Sequence, residues 1–170
     1  MGEGPSSLFD DPLALAGISS AAAVAAGALP EREAHPGAFH AFEALAAAFA
    51  ATDAWPAVYV RFEAGLLQEL GFGLDLRKCA ATGSLDDLVY VSPRTGRAVS
   101  REAGLPYHDK MLTLPPFLLS SQQRLAPGDV KAGLDLTGHF LEAFVFAVFN
   151  RPLPPARLWL VDRLVAEGRG

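Results

Sequence analysis

The sequence predicts a mainly α-helical bundle domain carrying one small inserted β-hairpin, and three observations carry that prediction. Apolar residues recur at three-to-four spacing through several segments bounded by helix start and stop signals. One stretch alone, Leu88 to Val99, switches to β-favouring residues around turn chemistry. The chain of 170 residues is 51% apolar, enough to bury the core of one domain and too apolar for a disordered chain.

Each element has a local reason. In the first helix Asp10 or Asp11 is placed to cap, Pro12 suits the first helical position, and Pro30 stops the run after Leu29. The second spans about Pro36 to Ala51, with Phe39, Phe42, Leu45 or Ala46, and Phe49 on one stripe. In the third, Asp53 is read as the cap and Pro56 lies in the first turn. Its stripe is Trp55, Tyr59, Phe62, Leu66 and Leu70, and Gly71 and Gly73 supply the left-handed residues that end it. Leu88-Val89-Tyr90-Val91, the turn Ser92 to Gly96, and Ala98-Val99 form the hairpin. From Gly104 to Gly128 the chain reads as loop with at most a short helix near Phe117 to Ser121. Asp129 is expected to cap a helix running to about Phe149, with Leu134, Leu141, Val145 and Val148 inward. Pro152, Pro154 and Pro155 interrupt, and a last helix covers roughly Ala156 to Val165.

Charge and composition narrow the function classes. The net charge of −5 is uneven: residues 1–76 carry −8, residues 77–110 carry +2 and residues 111–170 carry +1. Such a small local excess is no polyanion-binding footprint, which needs several clustered cations. A single cysteine excludes an internal disulfide framework and fits a reducing, cytoplasmic setting. The start is acidic, without the basic and apolar regions of a signal peptide, although Gly2 and Ser6 match a short N-lipidation pattern. Leu13 to Leu29 carries no charge, but 17 residues diluted by glycine and serine read as a buried bundle helix, and no membrane association is expected.

No catalytic constellation emerges. Gly71-Phe72-Gly73 follows a helix and lacks the third glycine of a phosphate-binding fingerprint. His35, His40, His108 and His139 lack metal-ligand spacing, and Ser120-Ser121 lacks a nucleophile-elbow context. Cys79, beside Arg77 and Lys78, would have a lowered thiol pKa, yet no general base is evident near it. The chain is therefore read as no enzyme, without cofactor.

The informative segment runs from Cys79 to Ala103. A zinc ribbon brings two Cys-x-x-Cys knuckles together across a hairpin, because Zn²⁺ takes four thiolates in a tetrahedron. The spacing survives here, but the four positions hold Cys79, Thr82, Ser100 and Ala103. Hydroxyls are poor neutral zinc ligands and a methyl is none, so no structural zinc is expected. The hairpin and the packing of Leu88, Tyr90, Val91 and Val99 are expected to hold the ribbon instead.

The combination resembles the RecO family of bacterial recombination mediators and DNA repair proteins. The resemblance rests on Tyr59-Val60-Arg61-Phe62-Glu63, on Leu66 to Phe72, and on Leu76 before Cys79. It extends through Val91-Ser92-Pro93 with Gly96 to Leu136-Thr137-Gly138-His139-Phe140-Leu141-Glu142, covering about residues 8 to 165. The zinc-less ribbon is similar to those in one branch of the family. Family members have an N-terminal OB-fold followed by this helical domain. About ten residues precede the first helix here, so the expected division is a leader at 1–10 and a RecO-like helical domain at 11–170, with the insert at about 76–104.

The resemblance implies a component of DNA repair and homologous recombination of the RecF-pathway type, in the cytoplasm with the nucleoid. Its implied partners are the acidic, apolar C-terminal tail of single-stranded-DNA-binding protein, RecR, and single-stranded DNA, the last weakened without an OB-fold. A remnant serving only as a structural or interaction domain is the alternative. An acidic, apolar tail needs a hydrophobic groove flanked by cations. Arg61, Arg77 and Lys78 are the first candidates, with Arg94, Arg97 and Arg101 of the insert also available for partner or DNA contacts.

Overall fold

The computed structural model describes residues 11–29, 36–120 and 124–170. Gly2, Ser6, the leader, Pro30, His35 and Ser121 lie outside them, as does the side chain of Phe39. The order is α1 (Pro12–Ala28), α2 (Pro36–Ala51), α3 (Trp55–Glu69), β1 (Leu88–Val91), β2 (Ala98–Ser100), α4 (Arg101–Gly104), β3 (Leu112–Thr113), α5 (Asp129–Phe140) and α6 (Pro155–Ala166). Short 3-10 turns at Leu105–Lys110 and Pro116–Leu118 flank β3. The architecture is mainly α with one small antiparallel sheet.

Helix α1 is capped by Asp11, whose carboxylate accepts from the Leu13 amide, and Pro12 occupies the first helical position. The other carboxylate oxygen accepts from the Trp55 indole, tying α1 to α3. Asp53 does not cap α3: the cap is Ala54 without a side-chain bond, and the Ala54 amide donates instead to Thr52. Of the two glycines after α3, only Gly71 is left-handed, at φ +89°. Asp129 is likewise the first residue of α5, not its cap. Left-handed Gly128 precedes it, and the Asp129 carboxylate accepts from the Ala126 amide.

Beyond Phe140 the helix continues with π winding over Leu141–Phe146 and a final 3-10 turn to Phe149, closed by left-handed Asn150. The change of period breaks the expected stripe. Leu134, Leu141 and Val145 are buried as expected, but Val148 is 71% exposed. The stretch Asp129–Phe149 is long and apolar enough to cross a bilayer by length and composition, but half of that window is buried inside the domain, as for a core helix.

Helices α2 and α5 pack on α3, while α6 packs on α1. Two apolar clusters result. The first joins Phe49, Trp55, Tyr59, Val60 and Phe62 to Leu134 and Leu160. The stripe anchors it, with Trp55 stacked on Phe49 at a centroid distance of 4.6 Å. The second joins Leu66 and Leu67 at the end of α3 to Leu136, Phe140 and Leu141, and its other wall is the insert itself: Cys79, Leu88, Val91, Ala98 and Val99. The ribbon therefore shares a core with the bundle. Gly133 lets α5 approach α3, since a Cβ there would lie 2.8 Å from Val60.

The sheet has the order β2-β1-β3, with both pairings antiparallel. Tyr90 faces Val99 and Thr113, and Val91 faces Ala98 and Leu112. The third strand falls in residues read from sequence as mostly loop, and α4 occupies the second-knuckle positions of the insert. Two residues of strand carry no readable period, and only pairing with Tyr90 and Val91 makes them a strand. Ahead of the hairpin, Asp75 bridges to Arg97, which closes the base of the insert.

One polar arrangement lies at the centre of the helices. Glu63 on α3 is 0% exposed and accepts from Nε and Nη2 of Arg157 on α6 at 2.7 and 2.8 Å. The Thr137 hydroxyl on α5 donates to Glu63 at 2.6 Å, and Arg157 also donates to the Leu134 carbonyl. Three helices are thus fixed by one buried, hydrogen-bonded ion pair. Nearby, the Tyr59 and Ser20 hydroxyls bond at 2.6 Å. Burial, followed by the neighbouring Glu63 charge, holds the Tyr59 phenol well above its ordinary pKa, so it remains a neutral hydroxyl.

Candidate functional site

An apolar groove runs along the outer side of α3 and the segments packed beside it. At one end a cavity of about 350 Å³ is lined by Arg61, Ala64, Gly65 and Gln68 of α3, with Leu74, Leu76 and the turn Phe117–Ser120 opposite. A second cavity of about 620 Å³ shares Leu74, Leu76, Leu118 and Leu119 and continues past Arg77 to Leu85, Asp87 and Leu88. The leucines form a common floor. Small residues at positions 64 and 65 leave the space, because a Cβ on Gly65 would meet nothing within 4 Å. Leu85 at the far rim is 74% exposed.

The groove has a cation toward each end. The Arg61 guanidinium lies 5.3 Å over the Phe117 ring and Nη2 donates to the Phe117 carbonyl at 3.2 Å. That stacking fixes the head group while leaving further N–H donors for an acceptor. Arg77 at the other end is exposed and paired with Asp75 through Nε at 3.1 Å and Nη2 at 3.3 Å. The Arg77 hydrogen bond holds the Asp75 carboxyl below its usual pKa. Arg77 therefore enters any binding with its charge already shared, and Arg61 is the stronger anchor.

The remaining candidate cations are spread over the insert. Lys78 is exposed beside Arg77, and Arg94 and Arg97 are exposed on the hairpin turn. Arg101 pairs with Asp87 at 3.2 Å, with both side chains more than half exposed. The groove joins Arg61 and Arg77, and neither Arg94 nor Arg97 lines it.

The four ribbon positions do converge. Cys79 is 1% exposed, and its sulfur accepts from the Ser100 amide at 3.2 Å. Ser100 has become a helix cap: its hydroxyl accepts from the Ala103 amide and starts α4. Ala103 packs against the second core cluster. Burial pushes the Cys79 thiol up, but hydrogen bonds from the Thr82 hydroxyl and the Ser100 amide outweigh it and bring the pKa to about 6. The lowering expected from Arg77 and Lys78 thus comes from Thr82 and Ser100 instead. One thiol, two hydroxyls and a methyl do not suit a zinc ion, and a hydrogen-bonded, capped turn stands where the second knuckle would be. Among the described residues, no group of three or more His, Cys, Asp and Glu side chains comes together to hold a metal.

Sequence reasoning found the groove's cations but not its floor or the ion pair beneath. Leu74 and Leu76 share the groove lining with Leu118 and Leu119 only through tertiary packing. Arg157 is 94 positions from Glu63, and the only local hint was an acid on the apolar side of α3.

These features define a helical domain with a ribbon-like insert held by packing and hydrogen bonds. The family model for the C-terminal region of recombination protein O matches residues 10–147, and the chain belongs to that family. The DNA repair protein RecO of Caulobacter sp. (strain K31) is 80% identical over 169 residues, which cover 99% of this chain and 70% of the relative. That of Caulobacter vibrioides (strain NA1000 / CB15N) is 81% identical over 164 residues, 96% of this chain and 68% of the relative. That of Phenylobacterium zucineum (strain HLK1) is 75% identical over 169 residues, covering 99% and 70%. No solved structure matches the chain.

Proposed function

We propose that this domain acts in DNA repair and recombination as a non-enzymatic docking module, holding the acidic, apolar C-terminal tail of single-stranded-DNA-binding protein in the α3 groove. The observation that carries this reading is the leucine floor bounded by Arg61 and Arg77. Apolar side chains of an extended peptide would enter the cavities while its carboxylates pair with the guanidinium groups. In this reading RecR is a second partner, single-stranded DNA a third, and the site of action the nucleoid in the cytoplasm.

Fluorescence anisotropy with a labelled acidic, apolar tail peptide tests it at two salt concentrations. Binding should weaken with salt, and Arg61→Glu should lower affinity about ten-fold or more, a change of about 1.4 kcal/mol. No binding at about 100 µM peptide, where even weak groove contacts register, would refute the docking role.

A further inference from the structure

A second groove, between α5 and α6, has the opposite electrostatics. A cavity of about 360 Å³ has apolar walls that include Leu153, Leu158 and Val161. Its rim carries Asp135, Glu142 and Asp162, each exposed. Lys131, beside the rim, and Arg157 are both committed to carboxylates. Lys131 pairs with Asp135 at 2.5 Å, and Arg157, which lines the cavity, is neutralised by Glu63 beneath it. His139 also lines the cavity, but its Nε2 donates to the Pro93 carbonyl at 2.8 Å.

The groove presents a hydrogen-bond donor as well. Arg157 spends Nε and Nη2 on Glu63 and Leu134, while among the described residues its Nη1 has no hydrogen-bond partner, although the side chain is only 5% exposed. Gly138 forms the adjoining wall, where a Cβ would sit 3.0 Å from Nη1. The glycine leaves that face of the guanidinium without a side chain over it. An incoming carbonyl oxygen can accept from that N–H. The turn of π helix at 141–146 brings Glu142 to this rim, and such turns occur often at functional positions.

We propose that the α5–α6 groove docks a basic, apolar peptide segment of a protein partner. Its aliphatic side chains lie against Leu153, Leu158 and Val161. Lysine or arginine side chains pair with Glu142 and Asp162, and one main-chain carbonyl accepts from Arg157 Nη1. A nucleic acid is the wrong ligand, because the rim would repel its phosphates. The occupant is thus opposite in charge to the tail assigned to the α3 groove, and the domain can hold the two at once.

The test uses a fluorescein-labelled 14-residue peptide of leucine and lysine, with a leucine–glutamate peptide as control, and anisotropy at low and moderate salt. The basic peptide should bind and the acidic one should not compete. The E142K/D162K double variant should weaken binding at least about ten-fold. A control reversal at residues that do not line the groove, E43K/E69K, changes net charge equally and should have less than about a two-fold effect. Equal losses in both double variants would show attraction to net charge alone and overturn the site. So would absence of binding at about 100 µM, or self-association of the wild type that E142K/D162K abolishes, which would make the occupant a second copy. If circular dichroism shows the double variant unfolded, L158S carries the test: a loss of about five-fold supports the site and unchanged affinity refutes it.

Discussion

Replacing Arg157 with methionine isolates what the buried ion pair contributes. The substitution roughly preserves the aliphatic volume of the side chain but removes the hydrogen bonds at 2.7 and 2.8 Å to Glu63 and the one at 2.9 Å to the Leu134 carbonyl. Glu63, fully buried, is left with the Thr137 hydroxyl among these partners. Breaking a buried pair by removing one partner costs about 3–5 kcal/mol, because an uncompensated charge stays in a low-dielectric interior. Two hydrogen bonds to a charged group, at roughly 1.5–3 kcal/mol each, lead to the same range. For a chain of this size each kcal/mol moves Tm by roughly 2–4 °C, so the drop should fall between about 6 and 20 °C.

The double variant R157M/E63M removes both charges and should be less damaged than R157M, despite carrying one more substitution. Urea denaturation of wild type, both single variants and the double variant measures the coupling. A loss below about 1 kcal/mol for R157M, or a double variant less stable than R157M, would refute the view that charge burial and not packing dominates here.

Two further outcomes follow from other positions. With its folded pKa at about 6, below the ordinary thiol value, Cys79 should contribute stability that is full above the unfolded pKa and lost as pH falls through about 6. Wild type should therefore lose more stability between pH 9 and pH 6 than C79S does, by about 1 kcal/mol or more, and parallel pH profiles would refute the hydrogen-bonded thiolate. Gly133→Ala should destabilise by about 1–3 kcal/mol, because its Cβ would sit 2.8 Å from fully buried Val60, and an unchanged urea midpoint would show that α5 can shift freely.

Much of the framework is legible from local chemistry. Asp11 and Pro12 announce α1, the stripe from Trp55 to Leu66 announces the buried face of α3, and β1 occupies the four residues its composition suggests. Such signals are local because caps, periods and turn residues act within a few positions. Spacing alone also brought Cys79, Thr82, Ser100 and Ala103 into one register, while Arg61 and Arg77 were candidates because the resemblance implies an acidic partner.

What those residues do there was decided by tertiary structure. Nothing adjacent in the chain says that Cys79 accepts from the Ser100 amide, that Leu112–Thr113 completes the sheet, or that Arg157 neutralises Glu63 across 94 positions. The floor of the α3 groove depends on the same kind of packing, since Leu76 and Leu118, 42 positions apart, line it together. Sequence by itself determined where the chain curls, which faces are apolar and that the ribbon lacks three of its four thiolates. Which apolar faces met, and so which were left open as grooves, was settled only when burial, a long-range effect proportional to area, chose among the possible partners.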